Sequence, residues 1–153
     1  MNRDTPSDLF RPILNNETLL GIALLVGRIF MSGVFLVFGV GKILHRPQME
    51  SYMEAHGVPR EWIFLAIAVQ IGFGLLVAIG YRTRFAALML AGFCIIATSL
   101  FHANFHAPGE LAHFTKDFAI AGGFLFLIAN GPGPLSFDAA RHHPGNDWEV
   151  NNS

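Results

Sequence analysis

The sequence predicts an all-α membrane protein: a four-transmembrane-helix bundle with a short interfacial helix between spans one and two. Three observations predict it. Hydrophobic residues make up 52% of the 153 residues and charged residues only 14%, against roughly 25% charged in an ordinary soluble domain. The few charges are clustered, which leaves four long apolar runs. Those runs are apolar on every face, whereas a helix in a small soluble protein must show water a polar side.

A helix needs about 20 mainly apolar residues to cross a bilayer. Residues 19–41, 62–80 and 85–101 each supply such a run. The fourth, residues 118–130, reaches span length only if residues 114–117 lie at the interface. No cleavable signal peptide is expected. The first run is too long for an h-region and lacks an A-x-A-like exit, so it reads as an uncleaved span. A membrane domain over 18–138 is thus flanked by loosely ordered tails, 1–17 and 139–153.

The connections add detail. In residues 80–84, GYRTR, Gly80 can stop a helix and Thr83 can cap the next. Spans two and three therefore form a tight antiparallel hairpin. Residues 47–57 read PQMESYMEAHG, with Pro47 suited to a first helical position and Gly57 to a C-terminal stop. Met49, Tyr52, Met53 and His56 share one face, which predicts an amphipathic helix on the membrane surface. Tyr52 and Trp62 are interface anchors. With four spans both termini share a side, together with Arg3, Arg11, Arg82, Arg84 and Arg141; Lys42, Arg46, Arg60 and Lys116 lie opposite. Arg82 and Arg84 occupy the shortest loop, where the positive-inside rule counts most, so both termini are assigned to the cytoplasm.

Composition excludes some functions. A net charge of -1 leaves no basic footprint for nucleic acid. The single cysteine, Cys94, forms neither an internal disulfide nor a C-x-x-C pair. A redox role must use a quinone, another bound cofactor or a partner subunit; no cofactor motif is evident in the chain. Cys94 itself reads as a small buried hydrophobe.

Arg28 is the most informative residue, because an arginine at mid-span costs roughly 2.5–3.5 kcal/mol on insertion scales and must face a partner. Counted from opposite ends of their runs, Arg28 and Gln70 come to similar depth. Three readings stand: a structural Arg28–Gln70 clasp, a contact to a substrate or quinone, or snorkelling to the membrane surface. Lys42, His102, His106, Lys116 and Asp117 gather at the face away from the termini, where Lys42 and Asp117 can pair across spans one and four. His102 and His106 have i,i+4 spacing, which suits a metal, but no third ligand stands at a diagnostic spacing and no metal is expected. On the terminal side, Ser136 and Asp138 follow Gly131 and Gly133. Asp138 paired with Arg82 or Arg84 would tie span four to the hairpin in a structural role. Phe35, Phe38, Gly39 and Gly41 offer a flat apolar slot, and Gly72, Gly74, Gly122 and Gly123 permit close helix approach.

These residues are familiar in their order. Arg28, Phe38, Gly39 and Lys42 form an R-x9-F-G-x2-K pattern that resembles the DoxX family. His56-Gly57-Val58-Pro59, the turn from Gly80 to Arg84, His102, Lys116 and the closing GPGPLSFD of residues 131–138 are similar to the family's motifs as well. The resemblance covers about residues 19–138. It departs at Gln70, where the family pattern carries an acidic residue, and a possible carboxylate partner for Arg28 is lost. The resemblance implies a four-helix protein of the bacterial inner membrane. The family is named after a subunit linked to quinone-dependent sulfur oxidation, and the resemblance to some of its members implies a place in a membrane oxidoreductase complex. Two functions compete: a quinone-contacting subunit, with membrane lipid and a redox subunit as partners, and a non-enzymatic assembly protein or small-solute path.

Overall fold

The computed structural model describes residues 16–102 and 108–141. Among them it holds six helices: α1 Glu17–Leu44, α2 Arg46–Ala55, α3 Trp62–Ile79, α4 Thr83–Phe101, α5 Glu110–Asn130 and α6 Phe137–Arg141. α1, α3, α4 and α5 are each long and apolar enough to cross a membrane. The tails before residue 16 and after 141, and His106, lie outside the described residues.

Local chemistry sets the helix ends. Asn16 caps α1, its side-chain oxygen accepting from Thr18 N–H at 3.1 Å and Leu19 N–H at 3.3 Å. Gly80 ends α3 at φ 75°, and the N–H of Tyr81 reaches back to the Leu76 carbonyl at 2.9 Å. This left-handed closing turn is open to glycine at little cost. α5 starts eight residues before the predicted apolar run and spans 21 residues, so Lys116 and Asp117 stand on the helix itself. Thr83 does not cap α4 with its side chain; the flanking position is Arg82, at φ 44°. The missing cap is supplied from another part of the chain, as described below.

α1 and α3 run antiparallel, in a register read from their glycines. A side chain at Gly39 would meet Ile71 and Gln70, one at Gly74 would meet Leu36, and one at Gly80 would meet the Arg28 guanidinium. Gly123 of α5 takes Met31 in the same way. Gly72 and Gly122, by contrast, face open space. Close approach thus rests on one glycine of each predicted pair.

The core forms around Phe35, whose ring meets Phe124 edge-on at 5.3 Å and Phe93 at 6.5 Å. Ala86, Ala87, Leu90 and Ala91 present the small inner face of α4 to this cluster. The predicted slot does not exist as such: Phe35 is core, Gly39 is a helix contact, Gly41 faces open space and Phe38 is 52% exposed. α2 folds its apolar face onto the bundle. Met53 is buried with Val58 and Ile63, and Met49, Ile67 and Phe101 pack around them.

α1 has 28 residues and α3 has 18, about 42 Å against about 27 Å. The first helix therefore outruns its neighbour. Its N-terminal turns are covered instead by the segment after α5: Gly21 lies against Pro134 and Leu135, and Leu24 against Gly133.

Candidate functional site

Polar side chains collect at the two ends of the bundle, and each end has its own chemistry. At the end shared by residues 16 and 141, three separate segments meet. Arg28 is 2% exposed. It donates from its guanidinium to the Leu135 carbonyl, packs against Gly80 and lies in the field of the Asp138 carboxylate. Asp138 in turn caps α4 across 55 residues of sequence. One carboxylate oxygen accepts the Arg82 N–H at 2.8 Å; the other accepts both the N–H and the hydroxyl of Thr83, each at 2.8 Å. The Asp138 N–H donates to the Gly80 carbonyl at 2.9 Å. Ser136 donates to the Gly133 carbonyl at 2.7 Å and accepts the Ala139 N–H at 3.1 Å, which starts α6. Gly131, at φ 78°, ends α5 beneath the Arg84 guanidinium.

The predicted Arg28–Gln70 clasp is therefore not formed. Arg28 reaches the level of Gly80, ten residues along α3 from Gln70, or about 15 Å. Gln70 sits at the level of Gly39, and its buried side-chain oxygen has no hydrogen-bond partner among the described residues. The depth count failed because the apolar runs hid how far α1 extends beyond α3. The tie between Asp138 and the hairpin exists, made through the backbone N–H of Arg82 and through Thr83.

At the opposite end the residues expected together fall into two groups. In the first, the ammonium groups of Lys42 and Lys116 both lie over the Phe38 ring, 5.9 and 5.8 Å from its centre. Asp117 pairs with Lys116 at 3.5 Å; the expected Lys42–Asp117 ion pair is replaced by this shorter reach along α5. In the second, His102 Nδ1 lies 2.7 Å from Glu110 and its ring stacks on His113 at 5.0 Å. His113 and Asp117 are four residues apart on α5, about 6 Å along its axis. Tyr52 is stacked on Phe101 at 5.5 Å and close to His56 at 4.3 Å. Burial, and then the charge of Glu110, push the Tyr52 phenol above its ordinary range. Among the described residues no group of His, Cys, Asp and Glu could hold a metal. Sequence reasoning missed Glu110 and His113 as partners of His102. Their i,i+3 spacing at a helix start was the available signal, obscured by placing the helix start too late.

Four helices long and apolar enough to cross a membrane, with charged side chains gathered toward the two ends of the bundle, define a multi-pass membrane protein. The DoxX family model matches residues 23–103. Over 117 residues the chain is 41% identical to inner membrane protein YqjF of Escherichia coli (strain K12), covering 76% of this chain and 90% of that one. It is 27% identical over 124 residues to inner membrane protein YphA of the same organism, covering 76% and 89%. No solved structure matches. The chain belongs to the DoxX family and is an inner membrane protein.

Proposed function

We propose that this chain is the quinone-facing membrane subunit of an oxidoreductase complex, with its terminal end in the cytoplasm and its ligand site at the opposite end. The observation that supports it is the pair Lys42 and Lys116 on one Phe38 ring. The ring face stabilises each ammonium, and Asp117 adds a counter-charge beside Lys116. A hydrogen-bond acceptor lying against the ring would give them a further partner. A quinone head group offers such acceptors in its carbonyl oxygens and a flat ring to lie on Phe38, which is 52% exposed. Gln70 adds a buried polar side chain one turn inward, at the level of Gly39.

Bound there, a quinone supplies a couple that takes up electrons together with protons. Lys42 and Lys116 would hold its carbonyl oxygens by hydrogen bonds, with Asp117 beside Lys116 as the counter-charge. His102, paired with Glu110, would stand at the rim as the group of the right type to exchange protons with water. Electrons have to come from a partner subunit, because the chain holds one cysteine and no thiol pair. Arg28, a quinone candidate by sequence, takes a structural role in this reading.

The test is purification of the full chain in mild detergent, followed by organic extraction and chromatography for quinone. Wild type is expected to retain quinone, and Lys42→Met with Lys116→Met to lose it at unchanged thermal stability. Equal quinone content in both proteins overturns the proposal. A second reading, a non-enzymatic assembly protein, is favoured by one observation: many of the motif residues quoted above meet in the Arg28–Gly80–Asp138 contact, which holds the fold together. Copurification of a protein partner by the quinone-free double variant supports that reading.

A further inference from the structure

At the terminal end an open groove of about 610 Å³ lies between the start of α4 and the end of α5. Arg82, Thr83, Arg84, Asn130, Gly131 and Pro132 line it. It is separate from the Lys42–Lys116 site, which lies a bundle length away. We infer that this groove is a binding site for the phosphodiester head group of an anionic phospholipid.

Position comes first. The α3–α4 turn joins two membrane spans through three residues, so it lies at the membrane–water boundary, where head groups are. Charge comes second. Asp138, the acid of the groove, has both oxygens engaged on the start of α4. Among the described residues, neither the Arg82 nor the Arg84 guanidinium has an acidic side chain within salt-bridge distance. Each offers a planar fork that matches two phosphate oxygens, a geometry lysine does not provide. Arg84 is held over Gly131, where a glycine leaves room for the guanidinium. The apolar flank comes third. Phe85, 53% exposed, lines the groove, and Phe126, 75% exposed, shares a face of α5 with Asn130. These rings lie on the membrane side of the arginines, where acyl chains would run. A basic pocket between membrane helices with an apolar skirt suits an anionic lipid.

The experiment uses the full chain in detergent, equilibrated with phosphatidylglycerol or phosphatidylcholine, with bound lipid counted by native mass spectrometry. Wild type should retain phosphatidylglycerol over phosphatidylcholine by about 30-fold, the ratio that about 1 kcal/mol per arginine compounds to. Arg82→Asn with Arg84→Gln should abolish the preference. Asparagine tolerates the left-handed backbone at position 82, and Arg84→Gln alone, free of that constraint, should lower the preference by several-fold. Wild type without a preference, or variants that keep it, overturn the inference. Displacement of the bound lipid by excess inorganic phosphate identifies a free-phosphate site and overturns the lipid assignment.

Discussion

A buried arginine is tolerable only where its charge is answered. Arg28 meets the Leu135 carbonyl and the field of Asp138, so removing it leaves a carbonyl without its donor and a carboxylate without its counter-charge. Arg28→Leu is expected to cost about 3 kcal/mol in thermal unfolding in detergent. Arg28→Lys should recover part of the loss, because it keeps the charge that faces Asp138 and one donor for the Leu135 carbonyl, on a shorter side chain. Asp138→Ala should cost about 1–2 kcal/mol by stripping the α4 cap. Asp138→Asn, which keeps one acceptor and loses the charge, should fall between it and wild type. Gly80→Ala should be at least as damaging as Asp138→Ala, since its φ of 75° opposes a side chain and the new methyl collides with Arg28 and Ser136. Asp138 also marks what sequence can and cannot reveal about a site. The acid and both arginines fall at one end by counting spans, so a side-chain pair was the natural expectation. Backbone N–H groups at a helix start are equally good partners for a carboxylate, and no residue letter announces them.

At the scale of the helix, the spans were legible because each is a continuous apolar run. Their phase was not. A helix apolar all round carries no periodic signal to say which face meets which neighbour, so the sequence does not separate Phe35, which is core, from Phe38, which is 52% exposed. α2 was legible in both respects, since Met49, Tyr52, Met53 and His56 recur at helical spacing. The structure turns that face onto Ile63, Ile67 and Phe101. Met53→Ala should then cost about 2–3 kcal/mol as a core truncation, measured by thermal unfolding, where a residue merely resting on lipid would cost much less. Tyr52 on the same helix gives a pH signature. Its raised phenol pKa contributes stability that is full below the unfolded value of about 10 and is lost as pH rises through the higher folded value. Between those two values wild type should lose stability with rising pH, and Tyr52→Phe should not show that component.

The whole molecule joins two unlike ends through an apolar middle. Topology reporters fused after residue 141 and inserted at Pro108 should give opposite signals, and equal signals would refute the four-span arrangement. Register between spans is the feature composition hides most completely, because it depends on which small residue accepts which large one: Gly39 takes Ile71, Gly74 takes Leu36 and Gly123 takes Met31. One consequence concerns the order in which the chain is made. The hydrogen bond from the Arg28 guanidinium and the carboxylate cap on α4 both engage residues 131–138, which leave the ribosome after all four spans. Synthesis runs from the N-terminus, so Arg28 enters the bilayer with no permanent partner and waits for more than a hundred residues. A nascent chain halted before residue 131 would hold its helices inserted but unlatched, and it should be cleaved by protease at the α3–α4 turn well before the full-length chain is.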